Sequence, residues 1–254
     1  MLVHGPRHWA CAVRGENGVL KVASGRKPFI SADVAAPFLR GPARIAEVFA
    51  LMPVVRRAMP DARLPYERPR MASTLAASAF VVRSLRRSRL APVAREAISG
   101  VISLAPAMLA LRGSSLAAYH GAEHIAIGSY EHGEPRTREH ERCGSHLVGP
   151  LMATSIAGSV LANAAPRQLR PLARLVTRAG GVAASVELFA WMVRNEGKPA
   201  ARALAWPGHE LQQRILTSEP TPEQLEVAEA ALAECLRLES PKNGGAEHEE
   251  APPA

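Results

Sequence analysis

The sequence predicts a mainly α protein, a multi-helix membrane-associated bundle with a small N-terminal β-hairpin. Four apolar stretches follow one another between residues 71 and 193, and an amphipathic helical pattern comes after them. Near the start, two apolar runs flank the pair Asn17-Gly18, which is a strong hairpin signal. The predicted organisation is a hairpin region over 1–35, a helical membrane-associated domain over 36–239, and a disordered tail over 240–254.

The elements can be justified in chain order. The runs HWACAV and VLKVA on either side of RGENG predict the two strands of the hairpin. From about Phe38 the pattern turns helical, with one apolar face formed by Ile45, Val48, Phe49 and Met52. Pro53 and Pro60 are predicted to interrupt or end this helix, and residues 60–70, PDARLPYERPR, to form a linker.

The apolar stretches decide the membrane prediction. They cover 71–82, 97–111, 147–165 and about 179–193. Only 147–165 is charge-free over the ~20 residues that a membrane helix needs, and buried core helices are the alternative interpretation of all four. Arginines flank 71–82 on both sides, so the positive-inside rule makes it re-entrant or interfacial rather than spanning. The expected partner is the lipid bilayer of the cell membrane, with the N-terminal region on the cytoplasmic side.

The last helix carries its own start signal. Thr221, Pro222 and Gln224 supply an N-cap, a proline in the first turn and the N3 residue of a capping box. The buried stripe that follows is predicted to contain Leu225, Ala228, Leu232, Cys235 and Leu236.

Composition excludes several functional classes. The net charge of +8 is spread along the chain, and with aromatic residues at only 4% and no nucleic-acid-binding motif, an anionic lipid surface is favoured over nucleic acid. The three cysteines are far apart and odd in number, which predicts no disulfide framework and fits a reducing compartment. The first residues lack the pattern of a secretory signal peptide.

The segment YHGAEH contains the candidate metal-binding and catalytic residues. It places His120, Glu123 and His124 in an H-x-x-E-H pattern, which is the reversed zincin motif. On a helix capped by Ser114 or Ser115 and running to about Ile127, both imidazoles share one face and can reach one divalent metal, with Glu123 beside them. The ligand types favour zinc. An alternative is a pair of hydrogen-bonded histidines, with Glu123 paired to an arginine.

A third ligand has three candidates. The loop over 131–146 is rich in ligand-type residues, and His140 or Cys143 can close the site locally. Glu187 stands alone as a carboxylate in the apolar run GGVAASVELFAWMV and is favoured as the third ligand, as in the reversed zincins, with Cys143 the main rival. A thiolate-rich closed site would indicate a structural metal instead.

Several segments together resemble one known family. They are HGPRHWACAVR, PFLRG at 37–41, YHGAEH with YEHGE, HERCGS at 140–145, SVEL at 185–188, and ALAWPGHELQQRILTSEPTPEQLEVAEAAL. These segments are similar to those of the YqhQ-like family of metal-dependent membrane enzymes, a family of unknown function. The resemblance implies a multi-helix membrane protein with a metal site, and it falls on His120, Glu123, His124, Glu131, His140, Cys143 and Glu187.

Two hypotheses for function follow. The first is a metal-dependent hydrolase at the membrane, with a peptidase as one form, in which Glu123 is the general base for a metal-activated water. The second is a non-catalytic membrane scaffold or assembly factor, in which a structural metal or a histidine-arginine network holds helices together. The partner is then another membrane protein rather than a peptide substrate.

Overall fold

The computed structural model describes residues 1–62 and 69–240 and confirms the mainly α class. Three strands come first: β1 (Leu2–His4), β2 (His8–Arg14) and β3 (Leu20–Arg26). The helices in the described part of the chain are α1 (Arg40–Ala58), α2 (Pro69–Leu85), α3 (Pro92–Leu111), α4 (Ser115–His132), α5 (Val148–Ala164), α6 (Arg170–Arg194), α7 (Pro199–Leu211) and α8 (Pro222–Glu239).

The N-terminal element is a three-stranded antiparallel sheet in the order β1-β2-β3. The predicted hairpin is β2 and β3, joined by a turn in which Gly18 takes a left-handed φ of 76°. Strand β1 pairs with β2 on its other side and was not predicted, because three residues are too few for a period-two pattern to be recognised.

Both faces of β2 are buried. Trp9 and Cys11 pack against Leu51 and Val55 of α1, while the alternate residues Ala10 and Ala12 pack against α8. The other side of α8 contacts α4, where Ala228 meets Ala122 and Ala126. The sheet is therefore held between α1 and α8, and α8 connects it to the helix that carries the H-x-x-E-H motif.

The prediction that Pro53 ends or interrupts the first helix was wrong. Helix α1 continues through Pro53 to Ala58 and stops before Pro60. Burial of Leu51 and Val55 against the sheet offsets the backbone hydrogen bond that a proline removes. Most of the predicted linker, 63–68, and the predicted tail from 241 onward lie outside the described residues.

Helix α8 confirms its sequence signals. The Thr221 hydroxyl accepts from the Gln224 main-chain N–H, and the Gln224 side chain accepts from the Thr221 N–H, which completes the capping box. Ala228 and Cys235 are buried as predicted, together with Val227 and Ala231.

The apolar stretches form two helical hairpins, α2 with α3 and α5 with α6, which meet where α3 contacts α5. Within residues 1–62 and 69–240, two helical segments are long and apolar enough to cross a membrane: Val93–Leu111 and Gly144–Ala164. The first was missed from the sequence because it begins before the charged pair Arg95-Glu96, and the charge-free run after that pair is too short. Only 11% and 17% of these two windows are buried inside the protein, and the other residues are partly or fully exposed.

The loops at the tips of the two hairpins lie together. Residues from both tips, among them Arg86, Arg95, Ala162 and Arg174, line one cavity. Helix α4 follows the opposite end of α3, and the turn Gly144–Leu147 precedes the opposite end of α5. The motif helix and the arginine-rich hairpin tips therefore lie at opposite ends of the two apolar spans.

Candidate metal centre

Helix α4 positions the motif, and it extends further than predicted. It runs from Ser115 to His132 and ends at Gly133, whose left-handed φ of 70° closes the last turn. Ser114 occupies the N-cap position, but its hydroxyl donates to the Leu111 carbonyl and makes no capping bond to the helix. The i, i+4 spacing then places the rings of His120 and His124 with centroids 4.3 Å apart.

Three ligand-type side chains converge beside this helix. His120, His124 and Cys143 each offer a ligand atom, and these atoms lie within 4.8 Å of one another. The distance between Cys143 Sγ and His120 Nε2 is 3.5 Å. Two ligands of one tetrahedral zinc, with Zn–S near 2.3 Å and Zn–N near 2.0 Å, would be separated by about 3.6 Å. The spacing thus fits a zinc-type site.

The second nitrogen of each imidazole is held by the main chain. His120 Nδ1 lies 2.9 Å from the Leu216 carbonyl oxygen, and His124 Nδ1 lies 2.7 Å from that of Arg138. A carbonyl only accepts, so both Nδ1 atoms carry a proton. Each Nε2 then donates to the Cys143 thiolate when its ring is protonated and offers a lone pair to a metal when its ring is neutral. This arrangement is typical of metal-binding histidines, whose other nitrogen donates to a fixed acceptor.

The loop that carries Cys143 is fixed by one buried amide. Gln212, with 0% of its surface exposed, accepts from the His140 main-chain N–H, and its Nε2 contacts the His140 carbonyl, Ser145 Oγ and His146 Nδ1. These bonds hold the segment 140–146 on both sides of the thiol. Cys143 Sγ also accepts from the Ser145 N–H at 3.5 Å. The thiol is therefore preorganised by contacts distant in sequence.

A short π-helical turn supports both parts of the site. It spans Gln212–Leu216 and supplies the Gln212 amide at one end and the Leu216 carbonyl at the other. Such turns often occur at functional sites. Sequence reasoning missed both residues: a carbonyl acceptor leaves no side-chain pattern, and a glutamine in HELQQRIL gives no sign that it is buried.

His140 is not placed as a ligand. Its Nε2 lies 3.1 Å from Glu131 Oε2, and its Nδ1 accepts from the Arg142 N–H at 3.3 Å. Both nitrogens are therefore engaged, although the ring lies only 5.6 Å from that of His124. Its role in the structure is to pair with Glu131 and stabilise the loop.

Glu187 is not brought to the cluster, which corrects the favoured third ligand. On α6 its carboxylate accepts from Arg40 Nε at 2.7 Å and from the Phe38 N–H at 3.2 Å, and it pairs with the second guanidinium nitrogen of Arg40. The Arg40 guanidinium lowers the pKa of this carboxyl. A carboxylate in an apolar helix signalled a partner correctly, but that partner is an arginine. Cys143, the alternative from the sequence, is the residue that joins His120 and His124 in a cluster that could hold a metal.

Glu123 lies beside the cluster without belonging to it. Burial raises the pKa of its carboxyl, while His120 and His124 act in the opposite direction. Within the described residues 1–62 and 69–240 no hydrogen bond to this carboxylate is found. This half-buried carboxyl therefore lies within electrostatic reach of the three ligand-type side chains.

Cys143 and His120 form a polarised pair. Burial alone would raise the pKa of the Cys143 thiol, but hydrogen bonds from His120, His124 and Ser145 outweigh it and lower the pKa to about 4. Burial opposes protonation of His120, but its bond to Cys143 raises the pKa of the imidazole. The thiolate, which is the form that binds a metal, is thus the form present at neutral pH.

Alkylation of the chelator-treated protein by iodoacetamide tests this thiolate. We expect the rate at Cys143 to be half-maximal near pH 4 and level above it, because the thiolate is the nucleophile. The pKa of Cys143 in the folded protein lies below the ordinary value of 9.0, so ionisation of this thiol stabilises the folded state. This contribution to the free energy of unfolding is complete above pH 9 and is lost as the pH falls through about 4.

Cys11 and Cys235 are controls within the same chain. Both are buried, and burial raises the pKa of each thiol, so neither should react in this range. Added zinc should protect Cys143. A Cys143 rate that rises only near pH 9 would contradict the pairing with His120.

Comparisons with known proteins follow this geometry. Residues 112–238 match the model of a family described as "Protein of unknown function (DUF1385)". The chain belongs to this family. It is also 33% identical over 130 residues to the "Uncharacterized protein YqhQ" of Bacillus subtilis (strain 168), a match covering 48% of the chain and 41% of that protein. No solved structure matches.

The DUF1385 match contains the whole candidate centre. His120, His124 and Cys143 lie inside it, as do the π-helical turn and Gln212. The chain spans less than half the length of the Bacillus relative. The resemblance noted in the sequence is confirmed at the level of the family, which has no known activity.

Proposed function

We propose that this DUF1385 protein is a metal-dependent hydrolase at the cell membrane, with His120, His124 and Cys143 as ligands of a divalent metal, zinc by donor type. One observation carries the proposal: His120, His124 and Cys143 each offer a ligand atom to one position, while main-chain carbonyls hold the Nδ1 atoms of both imidazoles and leave Nε2 for a metal. Three protein ligands with one free position are typical of catalytic zinc, whereas structural sites usually have four.

Glu123 is the proposed general base. When bound, such a metal supplies Lewis-acid activation of water and of a substrate carbonyl. The Glu123 carboxylate takes the proton of the attacking water and passes it to the leaving group, and burial moves its pKa upward, toward the range in which a base works at neutral pH. The bonds that this chemistry cleaves are amides and esters, which makes peptides one substrate class.

Substitution of Glu123 by glutamine tests the base. We expect Glu123→Gln to retain about one equivalent of metal by elemental analysis, because its carboxylate is outside the ligand group. Hydrolysis of a quenched fluorescent peptide library and of p-nitrophenyl esters should fall by roughly 10² to 10⁴-fold. Glu134→Gln is the matched control, since the exposed Glu134 carboxylate pairs with Arg136 and lies outside the group of ligand atoms.

The outcomes separate the two functions. Loss of metal from Glu123→Gln would make Glu123 a ligand and overturn its role as base. A wild-type protein that binds metal, hydrolyses none of these probes and unfolds when the metal is removed would favour the scaffold. That alternative has one observation in its favour: the cluster joins α4 to the 140–146 loop at the end of the two apolar spans.

The cytoplasmic position of the N-terminal region stays a prediction. The arginine-rich hairpin tips and the sheet lie at opposite ends of the apolar spans. If α3 and α5 cross the bilayer, the positive-inside rule places the tips in the cytoplasm and the sheet on the other face. A cytoplasmic sheet requires the hairpins to lie along the inner leaflet without crossing it.

A further inference from the structure

A basic cavity lies at the tips of the two hairpins, at the far end of the apolar spans from the candidate metal centre. Its volume is about 240 Å³, and it is lined by four arginines, Arg86, Arg95, Arg174 and Arg178. They come from three places: the end of α2, the start of α3 and the first half of α6. Their convergence is therefore a product of the fold rather than of one basic run.

The cavity has an excess of positive charge. Among the described residues, Glu96 is the one carboxylate that lines it, and it lies 4.0 Å from Arg95. Arg174 contacts the Asn163 side-chain oxygen, and within the described residues neither Arg86 nor Arg178 has an ion pair. Burial and the neighbouring arginines lower the pKa of Arg178, the response expected where like charges crowd together. An anion would relieve this repulsion.

Hydroxyl groups line the wall of the cavity between α5 and α6. Ser155 and Ser159 of α5 and Thr177 of α6 face it. The two helices come close at Gly158, where an added Cβ would lie 3.1 Å from Thr177 Cβ. Guanidinium groups bind phosphate through paired N–H donors, and hydroxyls add further donors, so this lining suits a phosphate better than a carboxylate or halide.

Other faces of the same two helices are apolar and exposed. Val160 and Leu161 of α5 and Leu172, Leu175 and Val176 of α6 are all exposed, with Leu175 at 68%. A soluble phosphate compound would gain nothing from such a surface, whereas acyl chains would cover it. Basic sites between membrane-associated helices bind anionic lipid headgroups for this reason.

We propose that this cavity binds the phosphate of an anionic phospholipid headgroup, with the acyl chains lying against the exposed apolar residues of α5 and α6. Arg178 and Arg174 hold the phosphate from α6, and Arg95 and Arg86 hold it from the other hairpin. The lipid thus joins the two hairpin tips. This binding is independent of the candidate metal centre and of hydrolysis.

The test measures binding of short-chain lipids to the purified full-length protein in a non-ionic detergent, by isothermal titration calorimetry. The probes are dioctanoyl phosphatidylglycerol, dioctanoyl phosphatidylcholine and inorganic phosphate. We expect dioctanoyl phosphatidylglycerol to bind at least tenfold more tightly than dioctanoyl phosphatidylcholine or inorganic phosphate. Arg178→Gln should weaken it at least tenfold, and Arg178→Lys should weaken it in part, because lysine keeps the charge but loses the paired donors.

Arg167→Gln is the matched control. Arg167 is an exposed arginine at the same tip but does not line the cavity, so its loss should change the affinity less than twofold. Equal losses in Arg167→Gln and Arg178→Gln would show general charge attraction and overturn the proposal. If inorganic phosphate binds as tightly as phosphatidylglycerol, the cavity recognises free phosphate and the proposal of a lipid ligand is wrong. Metal content should be unchanged in every variant, which keeps this test separate from that of the hydrolase.

Discussion

Alanine in place of Gly121 is expected to lower the free energy of unfolding by more than ~3 kcal/mol and to weaken metal binding. A Cβ at this position would lie 2.3 Å from the Ser218 carbonyl oxygen, which is main chain and cannot rotate away. The displaced segment includes Leu216, whose carbonyl holds His120 Nδ1, and Ser218 N–H, which donates to the Ala117 carbonyl. Urea unfolding and zinc titration of the purified variant measure the two effects.

Gly180→Ala is the control for the glycine substitution. Gly180 lies within α6, and an added Cβ there meets nothing within 4 Å. Alanine should stabilise this helix position by about 0.5–1 kcal/mol, because glycine is the poorer helix former. If Gly121→Ala unfolds at the same urea concentration as the wild type, α4 does not pack against residues 216–218 as described.

The parts of the fold that sequence predicted well are those with local signals. The capping box of α8 needs only Thr221 and Gln224, three residues apart, and the hairpin turn needs only Asn17-Gly18. The histidine pair is local as well, since a helical i, i+4 spacing alone places His120 and His124 on one face.

The third ligand could not be derived in the same way. Cys143 is 23 residues from His120, and its position depends on Gln212, a further 69 residues along the chain. The apolar run around Glu187 correctly indicated a cationic partner but could not tell a metal from Arg40, which is 147 residues away. Carbonyl acceptors such as Leu216 and Arg138 are present at every residue, so their role appears only in three dimensions.

Pro53 and the first apolar span show the limits of local rules. The rule that proline ends a helix considers one lost backbone hydrogen bond. Burial of Leu51 and Val55 against Trp9 contributes more free energy than that bond and keeps α1 continuous. A count of uncharged residues excluded the start of Val93–Leu111 because of Arg95 and Glu96. Arg95 and Glu96 both line the basic cavity at the hairpin tips. They therefore lie at the end of the apolar segment, where charges are compatible with a possible membrane span.

His124→Ala is expected to abolish stoichiometric metal binding. Removing one of three ligands should weaken zinc binding on the order of a thousandfold, given the ~10–16 kcal/mol that structural zinc sites contribute in total. In the wild type, zinc at a thousandfold excess over its Kd adds about 4 kcal/mol of stability, which corresponds to a rise in Tm of roughly 8 to 16 °C. Thermal unfolding with and without zinc, together with elemental analysis, should show this rise in the wild type and not in the variant.

Two further variants make the result specific to the cluster. His124 is buried, so alanine leaves a void, and Cys143→Ser, which keeps the shape and removes the thiolate, should lose the zinc response without that void. His132→Ala should keep the response, because His132 Nδ1 bonds to the Gly128 carbonyl of its own helix and His132 is not a member of the cluster. A zinc response that survives in His124→Ala and Cys143→Ser would place the metal elsewhere. If the zinc response is lost in His124→Ala and Cys143→Ser but kept in His132→Ala, the metal binds at the cluster. In that cluster α4 supplies two imidazoles, and the loop anchored by Gln212 supplies the thiolate.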